Sequence, residues 1–295
     1  MHDLFKKLEA AEVTEQPFPY LVIENFLPPE ICAQLIAEIP PVDAFIDEGA
    51  AGNNTRFNLS YQQSIANPKV SQLWREVLSV AMSQAYLDQV LRLFRRSIHH
   101  YYPDFDQRFG AIDTLAAKSR SSSPKRYGTV MLDSQIAINS PARTAGKTVR
   151  GPHLDRTDKL FIGLLYLRLP NDDSTGADLE LLSPLAAQPK FEPNRLLPRE
   201  ATRLVRTIPY QANTLVMFLN TPQSLHGVTP RSATSCPRYF INLLGEMPAP
   251  LFEVDSVTPL KHRHMRHRLA RIWQRMPYQL ARMWQGSSLR HNGRP

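Results

Sequence analysis

The chain has 295 residues, 42% of them hydrophobic, which is enough for one large domain or two small ones with a real core. Its formal charge of +8 is unevenly placed: nine Lys or Arg and no acidic residue fall between Lys261 and Pro295, so the rest of the chain is close to neutral. That asymmetry argues against nucleic-acid binding as the role of the whole protein, and two cysteines, Cys32 and Cys236, are too few for a disulfide framework. The first residues, charged on both signs, carry no apolar targeting segment, and no apolar run approaches the ~20 residues of a membrane span. A soluble protein of the cytoplasm is expected.

In chain order, Pro19 to Phe26 is rich in aromatic and β-branched residues and predicts a strand. Pro28 and Pro29 suit the first turn of a helix running to Glu38, which Pro40 and Pro41 end. The polar run from Gly52 to Gln63 has no apolar period and reads as loop. From Val70 to Ile98 apolar residues recur at helical spacing, predicting two helices or one with a break near Ser83. The character then changes. Thr129 to Asn139 is strand-like, and Leu160 to Leu169 is a near-continuous apolar run, as in a strand buried on both faces. Short strands are expected at Ala177 to Leu182, Arg203 to Pro209, Thr214 to Asn220 and Arg238 to Gly245. Four prolines make Ser183 to Glu200 a long irregular loop, either a substrate lid or a plain crossover. The pattern predicts an α+β protein with a mainly β core. That core is a double-stranded β-helix of jelly-roll or cupin-like type, with an N-terminal helical layer and a C-terminal basic helix. The expected organisation is a support region over 1–126, a catalytic core over 127–250 and a basic tail over 256–295.

Gly151-Pro152-His153-Leu154-Asp155 places an imidazole and a carboxylate two residues apart, hence on one face of an extended strand. The best second imidazole is His226, in Ser224-Leu225-His226-Gly227-Val228, 71 residues beyond Asp155. Two imidazoles and one carboxylate on one face leave three positions open on Fe(II). Zinc takes the same residue types, so the metal stays open at this point. A bidentate 2-oxo acid also needs a cation for its far carboxylate. Arg238, opening the strand Arg238-Tyr239-Phe240-Ile241-Asn242-Leu243-Leu244, has the planar fork that suits it, and Arg231 is the rival. Gln135 and Asn139 are weaker candidates.

Together, His153-Leu154-Asp155, Tyr166, His226-Gly227-Val228-Thr229-Pro230 and Arg238-Tyr239-Phe240-Ile241-Asn242-Leu243 resemble the prolyl 4-hydroxylase-like branch of the 2-oxoglutarate/Fe(II)-dependent dioxygenases, over roughly Val130 to Glu246. The resemblance implies His153, Asp155 and His226 as ligands of Fe(II), and Arg238 as the clamp on the far carboxylate of 2-oxoglutarate. Tyr166 would donate to that carboxylate, or fill the core as an ordinary buried aromatic. Where the family usually carries a tyrosine before the His-x-Asp, this chain has Gln135-Ile136-Ala137-Ile138-Asn139, which makes Gln135 a co-substrate candidate. The implied reaction consumes O2, hydroxylates an unactivated C–H bond and releases succinate and CO2, with ascorbate as an associated ligand. The carboxylate of Asp155 separates it from related halogenases, which have a small residue there. The substrate is an amino-acid side chain, free or peptidyl, such as a prolyl group, or a small metabolite. The competing readings are a cupin-type binding or assembly protein without activity and a zinc-dependent isomerase or hydrolase.

In the tail, Met265, Leu269, Ile272, Met276, Leu280, Met283 and Trp284 share one helical face opposite arginines. Such a helix packs on the core, or meets an acidic partner or an anionic membrane surface.

Overall fold

The first strand, β1 (Tyr20–Ile23), is short because Asn25 turns with φ of 50° and Pro28 and Pro29 commit the next segment to helix. Helix α1 spans Pro29–Ala37. Described in this computed structural model are residues 4–46, 52–120, 124–146, 148 and 150–255; the expected tail helix lies outside them.

The polar run expected as loop is instead a strand and a helix, β2 (Arg56–Leu59) and α2 (Tyr61–Ala66). The strand is held by pairing with a partner some 80 residues away, which no local period reveals. The helix starts on a capping box, in which Ser60 and Gln63 satisfy each other's backbone amides. Helices α3 (Gln72–Val80) and α4 (Gln84–Tyr101) are separated at Ser83, whose hydroxyl accepts from the Tyr86 amide and caps α4. A short α5 (Phe105–Phe109) leads into β3 (Ala116–Ser119). The remaining strands are β4 (Thr129–Asn139), β5 (Lys159–Tyr166), β6 (Leu179–Pro184), β7 (Thr202–Ile208), β8 (Thr214–Leu219), β9 (His226–Val228) and β10 (Arg238–Glu246).

Two sheets result. The larger runs β1-β8-β5-β10-β4-β2, antiparallel throughout, with β3 added parallel to β4; the smaller is β7-β6-β9. Alternation along each strand divides the residues between two faces. Ile136, Ile138, Leu165, Leu215, Met217, Ile241 and Leu243 face outwards and join Trp74, Val77, Leu87, Val90, Phe94 and Ile98 of α3 and α4 in the main core. Ala137, Ile162, Tyr166, Val216, Phe218, Phe240 and Leu244 face inwards, towards Leu179, Leu181 and Ile208 of the smaller sheet. This is the expected α+β, jelly-roll-like arrangement of two facing sheets with helices covering one of them. Truncating a buried anchor such as Phe94 to Ala should cost about 3–5 kcal/mol. All described residues belong to one compact unit, because the helical segment and the β core share the outward-facing core.

One turn needs glycine. Gly176 has φ of +76°, and a Cβ there would lie 1.9 Å from the carbonyl oxygen of Pro230. This close approach ties the turn before β6 to the loop after β9, so it helps to fix His226.

Candidate metal centre

His153 and Asp155 do not lie on a full strand. His153 forms an isolated bridge, with His226 on one side and Leu196 on the other. The amides and carbonyls of His153 and His226 exchange hydrogen bonds at 2.8 and 3.1 Å, which sets the imidazoles side by side with ring centroids 4.2 Å apart. His226 opens β9, a strand that exists by pairing with β6. The proline-rich loop braces the same segment from outside: the Leu154 amide donates to the Arg195 carbonyl, and the Leu197 amide to the Pro152 carbonyl. Phe191 and Leu197 bury against Leu154, Leu182 and Leu225. The loop is therefore one wall of the site, with Asn194 and Arg195 both held at positive φ.

One donor atom from each of His153, Asp155 and His226 converges so that all three lie within 4.8 Å of one another, and all three residues are buried. Each imidazole has its Nδ1 at a backbone carbonyl, of Gly151 at 2.8 Å for His153 and of Ser224 at 2.9 Å for His226. With Nδ1–H donated to a carbonyl, the lone pair is on Nε2. Both Nε2 atoms face the Asp155 carboxylate at 3.9 Å, one towards each oxygen. Burial pushes both imidazoles below the ordinary value of 6.5, so they are neutral at physiological pH; the neighbouring His226 adds to the effect at His153. Burial alone would raise the Asp155 pKa. Lys159, the two imidazoles and Arg150 outweigh it and hold the carboxyl well below its usual range. Two neutral nitrogens and one carboxylate oxygen are the donor types of a mixed N/O divalent-metal site.

Beyond this cluster the inner face ends in a set of buried polar atoms without hydrogen bonds. They are the Tyr166 hydroxyl, which the Arg238 guanidinium approaches without a well-aligned bond, the Thr214 hydroxyl, Nε of Arg238 and the side-chain nitrogen of Asn139. The register explains their meeting: Tyr166 pairs with Thr214 and Phe240, and Arg238 pairs with Asn139. Arg238 is 1% exposed and has no carboxylate partner among the described residues. Its guanidinium instead lies over the rings of Tyr210, Tyr166 and Phe240, at 4.5, 5.0 and 5.0 Å. A buried cation and three unpaired polar groups in one corner are costly unless an anion completes them. The rival arginine is differently employed. Arg231, also 1% exposed, donates from Nη2 to Asp172 and from Nε to Ser174, each at 2.9 Å.

Gln135 shares the inner face but lies mid-strand in β4, opposite Asn242 rather than Arg238. Its amide nitrogen donates to Asp133 at 2.7 Å and its oxygen accepts from Asn242 at 3.0 Å, so both ends of the amide are engaged. Two residues of this corner escaped the sequence reading. Thr214 opens an apolar strand, and its orphaned hydroxyl is visible only once β8 lies beside β5. Arg56 sits in the polar run taken for loop; its Nε reaches Asn139 at 3.4 Å and its guanidinium lies 4.8 Å from the Phe240 ring.

No family model matches the chain, and no curated protein matches its sequence. Among solved structures it is similar to a prolyl-4-hydroxylase from Pseudomonas putida, at 13% identity over 83% of this chain and 98% of that one, with a TM-score of 0.41. A prolyl hydroxylase from Trichoplax adhaerens, in complex with a hypoxia inducible factor peptide, matches at 16% identity over 77% of this chain and 83% of its own, with a TM-score of 0.41. The α-ketoglutarate-dependent carbocyclase SnoK of nogalamycin biosynthesis matches at 15% identity over 85% and 86%, again with a TM-score of 0.41. Overlaps this loose carry no chemistry with them, so function has to come from the site itself.

Proposed function

We propose that the protein is an Fe(II)- and 2-oxoglutarate-dependent dioxygenase that hydroxylates a C–H bond. The reading rests on two features taken together: three convergent, buried metal-ligand atoms, and a buried guanidinium on the inner face of the larger sheet that pairs with no carboxylate among the described residues. The donor set fits a ferrous ion, because two neutral imidazoles and one carboxylate leave coordination positions free for a chelating co-substrate and O2. With Fe(II) and 2-oxoglutarate bound, the centre would couple decarboxylation of the co-substrate to succinate and CO2 with insertion of one oxygen atom of O2 into a substrate C–H bond.

The chain's own part is positional. The carbonyls of Gly151 and Ser224 fix the imidazole tautomers and aim both Nε2 atoms at one point. Lys159, 3.3 Å from Asp155, and Arg150, 3.4 Å from it, keep the carboxylate ionised and ready to bind a cation. Arg238 would receive the far carboxylate of 2-oxoglutarate as a charge-assisted pair, and the hydroxyls of Tyr166 and Thr214 would donate to it. The apolar inner face, with the Phe218 ring tilted against His226 at 4.8 Å, keeps bulk water from the reacting groups. The dioxygenase reading is preferred because its chelating co-substrate itself carries the carboxylate that the buried Arg238 lacks. Ascorbate binding and a cytoplasmic setting belong to the same proposal; both cysteines are unpaired, as in a reducing compartment.

The test is formation of succinate from 2-oxoglutarate by the iron-loaded protein. It should require O2 and disappear in His153→Ala and Asp155→Ala. Succinate formed equally without O2, or by both variants, would refute the proposal.

A further inference from the structure

Arg56 is the one cation of the corner that neither the metal cluster nor the co-substrate clamp uses. It lies on the edge strand β2 in the same cross-strand row as Asn139 and Arg238, with Asn139 between them. Adjacent strands are about 4.8 Å apart, so the two arginine backbones are roughly 10 Å apart. Their side chains nevertheless converge on the one ring of Phe240, at 4.8 and 5.0 Å. The two differ in access. Arg238 is 1% exposed, set deep on the inner face where the co-substrate would end, whereas Arg56 on the edge strand is exposed and can meet a second molecule. Protein nonetheless surrounds the head of Arg56 closely enough that burial, followed by repulsion from Arg238, lowers its pKa to about 10. Among the described residues Arg56 has no ion-pair partner and a single side-chain hydrogen bond, to Asn139.

Charge balance points the same way. In the proposed complex a divalent ion and Arg238 face Asp155 and the two carboxylates of 2-oxoglutarate, and these charges cancel. Arg56, Arg150 and Lys159 then remain, and among the described residues the one carboxylate that all three act on is Asp155, already counted. Three cations beside a neutral complex favour an anionic ligand.

We propose that Arg56 receives a carboxylate of the substrate, so that the substrate is a small organic acid held with its C–H bond beside the metal centre. This narrows the range left by the sequence, from any side chain or metabolite to a molecule with a free acid group, and it rests on the dioxygenase reading. A neutral prolyl peptide is the alternative it excludes.

The experiment uses full-length protein loaded anaerobically with Mn(II) and N-oxalylglycine, a redox-inert analogue of the co-substrate. It is titrated by calorimetry with the free L-amino acids, short hydroxy acids and monocarboxylic acids, their carboxamides, and a C-terminally amidated proline-containing peptide. At least one acid should bind roughly tenfold to a hundredfold more tightly than its amide, the span expected for one charge-assisted contact. Arg56→Gln should abolish that preference and Arg56→Lys should keep part of it. Affinity for N-oxalylglycine should be unchanged in both, and should be lost in Arg238→Met. Equal binding of acids and amides, binding of the neutral peptide alone, or no acid bound would overturn the inference. So would a loss of N-oxalylglycine affinity in Arg56→Gln, which would make Arg56 part of the co-substrate clamp. Failure of the unaltered protein to bind Mn(II) and N-oxalylglycine would refute the dioxygenase reading itself, and the inference with it.

Discussion

Two arginines, equally buried at 1% exposure and seven residues apart, should respond to the same substitution in opposite ways. In Arg231→Met the guanidinium leaves Asp172, which is buried and has bonded it at 2.9 Å, and the Ser174 hydroxyl also loses its donor. Removing one partner of a buried ion pair strands the other charge and costs about 3–5 kcal/mol. Arg168, whose Nε lies 3.8 Å from the same carboxylate, softens the loss, so the lower end of that range is expected. For a unit of this size that is a fall in Tm of roughly 6–12 °C. Arg238→Met removes a charge that has no carboxylate partner. It forfeits contacts with three aromatic rings, worth up to about 2 kcal/mol, but also relieves the desolvation of an isolated guanidinium, which is of similar or larger size. Its stability should therefore be within about 1 kcal/mol of the unaltered protein or above it, while affinity for 2-oxoglutarate falls about a hundredfold or more. Urea unfolding of the metal-free variants gives the stabilities, and calorimetry with Mn(II) gives the affinity. A strongly destabilised Arg238→Met beside an unaffected Arg231→Met would refute the division of roles.

His226→Ala should reduce divalent-metal affinity more than about a hundredfold, read as metal retained on dialysis, because it removes one of three donor atoms; unchanged retention would place the metal elsewhere. Gly176→Ala should lose more than about 2 kcal/mol in urea unfolding, since the new Cβ meets the Pro230 carbonyl at a backbone angle that side chains avoid. An unchanged midpoint would count against that close contact. The metal-free protein should also lose stability as pH falls from 7 towards 5. Both imidazoles are held below their ordinary 6.5, so the unfolded chain takes up protons there that the folded one resists. Thermal unfolding against pH should show the slope, and His153→Ala/His226→Ala should flatten it; an equal slope in the double variant would assign it to other groups.

What the sequence made legible was local. The strand over Thr129 to Asn139 has the expected bounds because its own β-branched and apolar residues favour strand and are buried along it, and the helix break at Ser83 is a capping signal written in adjacent residues. The run from Gly52 to Gln63 misled because β2 forms only by pairing with β4, a non-local stabilisation that leaves no period in a polar segment. The His-x-Asp pair was expected on a strand, yet the loop containing Leu196 and the backbone of His226 hold His153 in a single bridge from both sides. Arg238 was preferred to Arg231 only because it opens an apolar strand. Their difference lies in what they touch: Asp172, 59 residues before Arg231, occupies one, and no carboxylate of the described residues occupies the other. Arg56 and Thr214 were invisible for the same reason, since neither belongs to a motif and each matters through neighbours brought by the sheet.

The most direct test of the central claim is an anaerobic titration of the protein with Fe(II) and then 2-oxoglutarate, followed by visible absorption. A chelated 2-oxo acid beside His153, Asp155 and His226 should give a weak charge-transfer band that saturates with one equivalent of iron. The band should be absent in Asp155→Ala and should need far more 2-oxoglutarate in Arg238→Met. No band in the unaltered protein, or the same band in Asp155→Ala, would contradict the account.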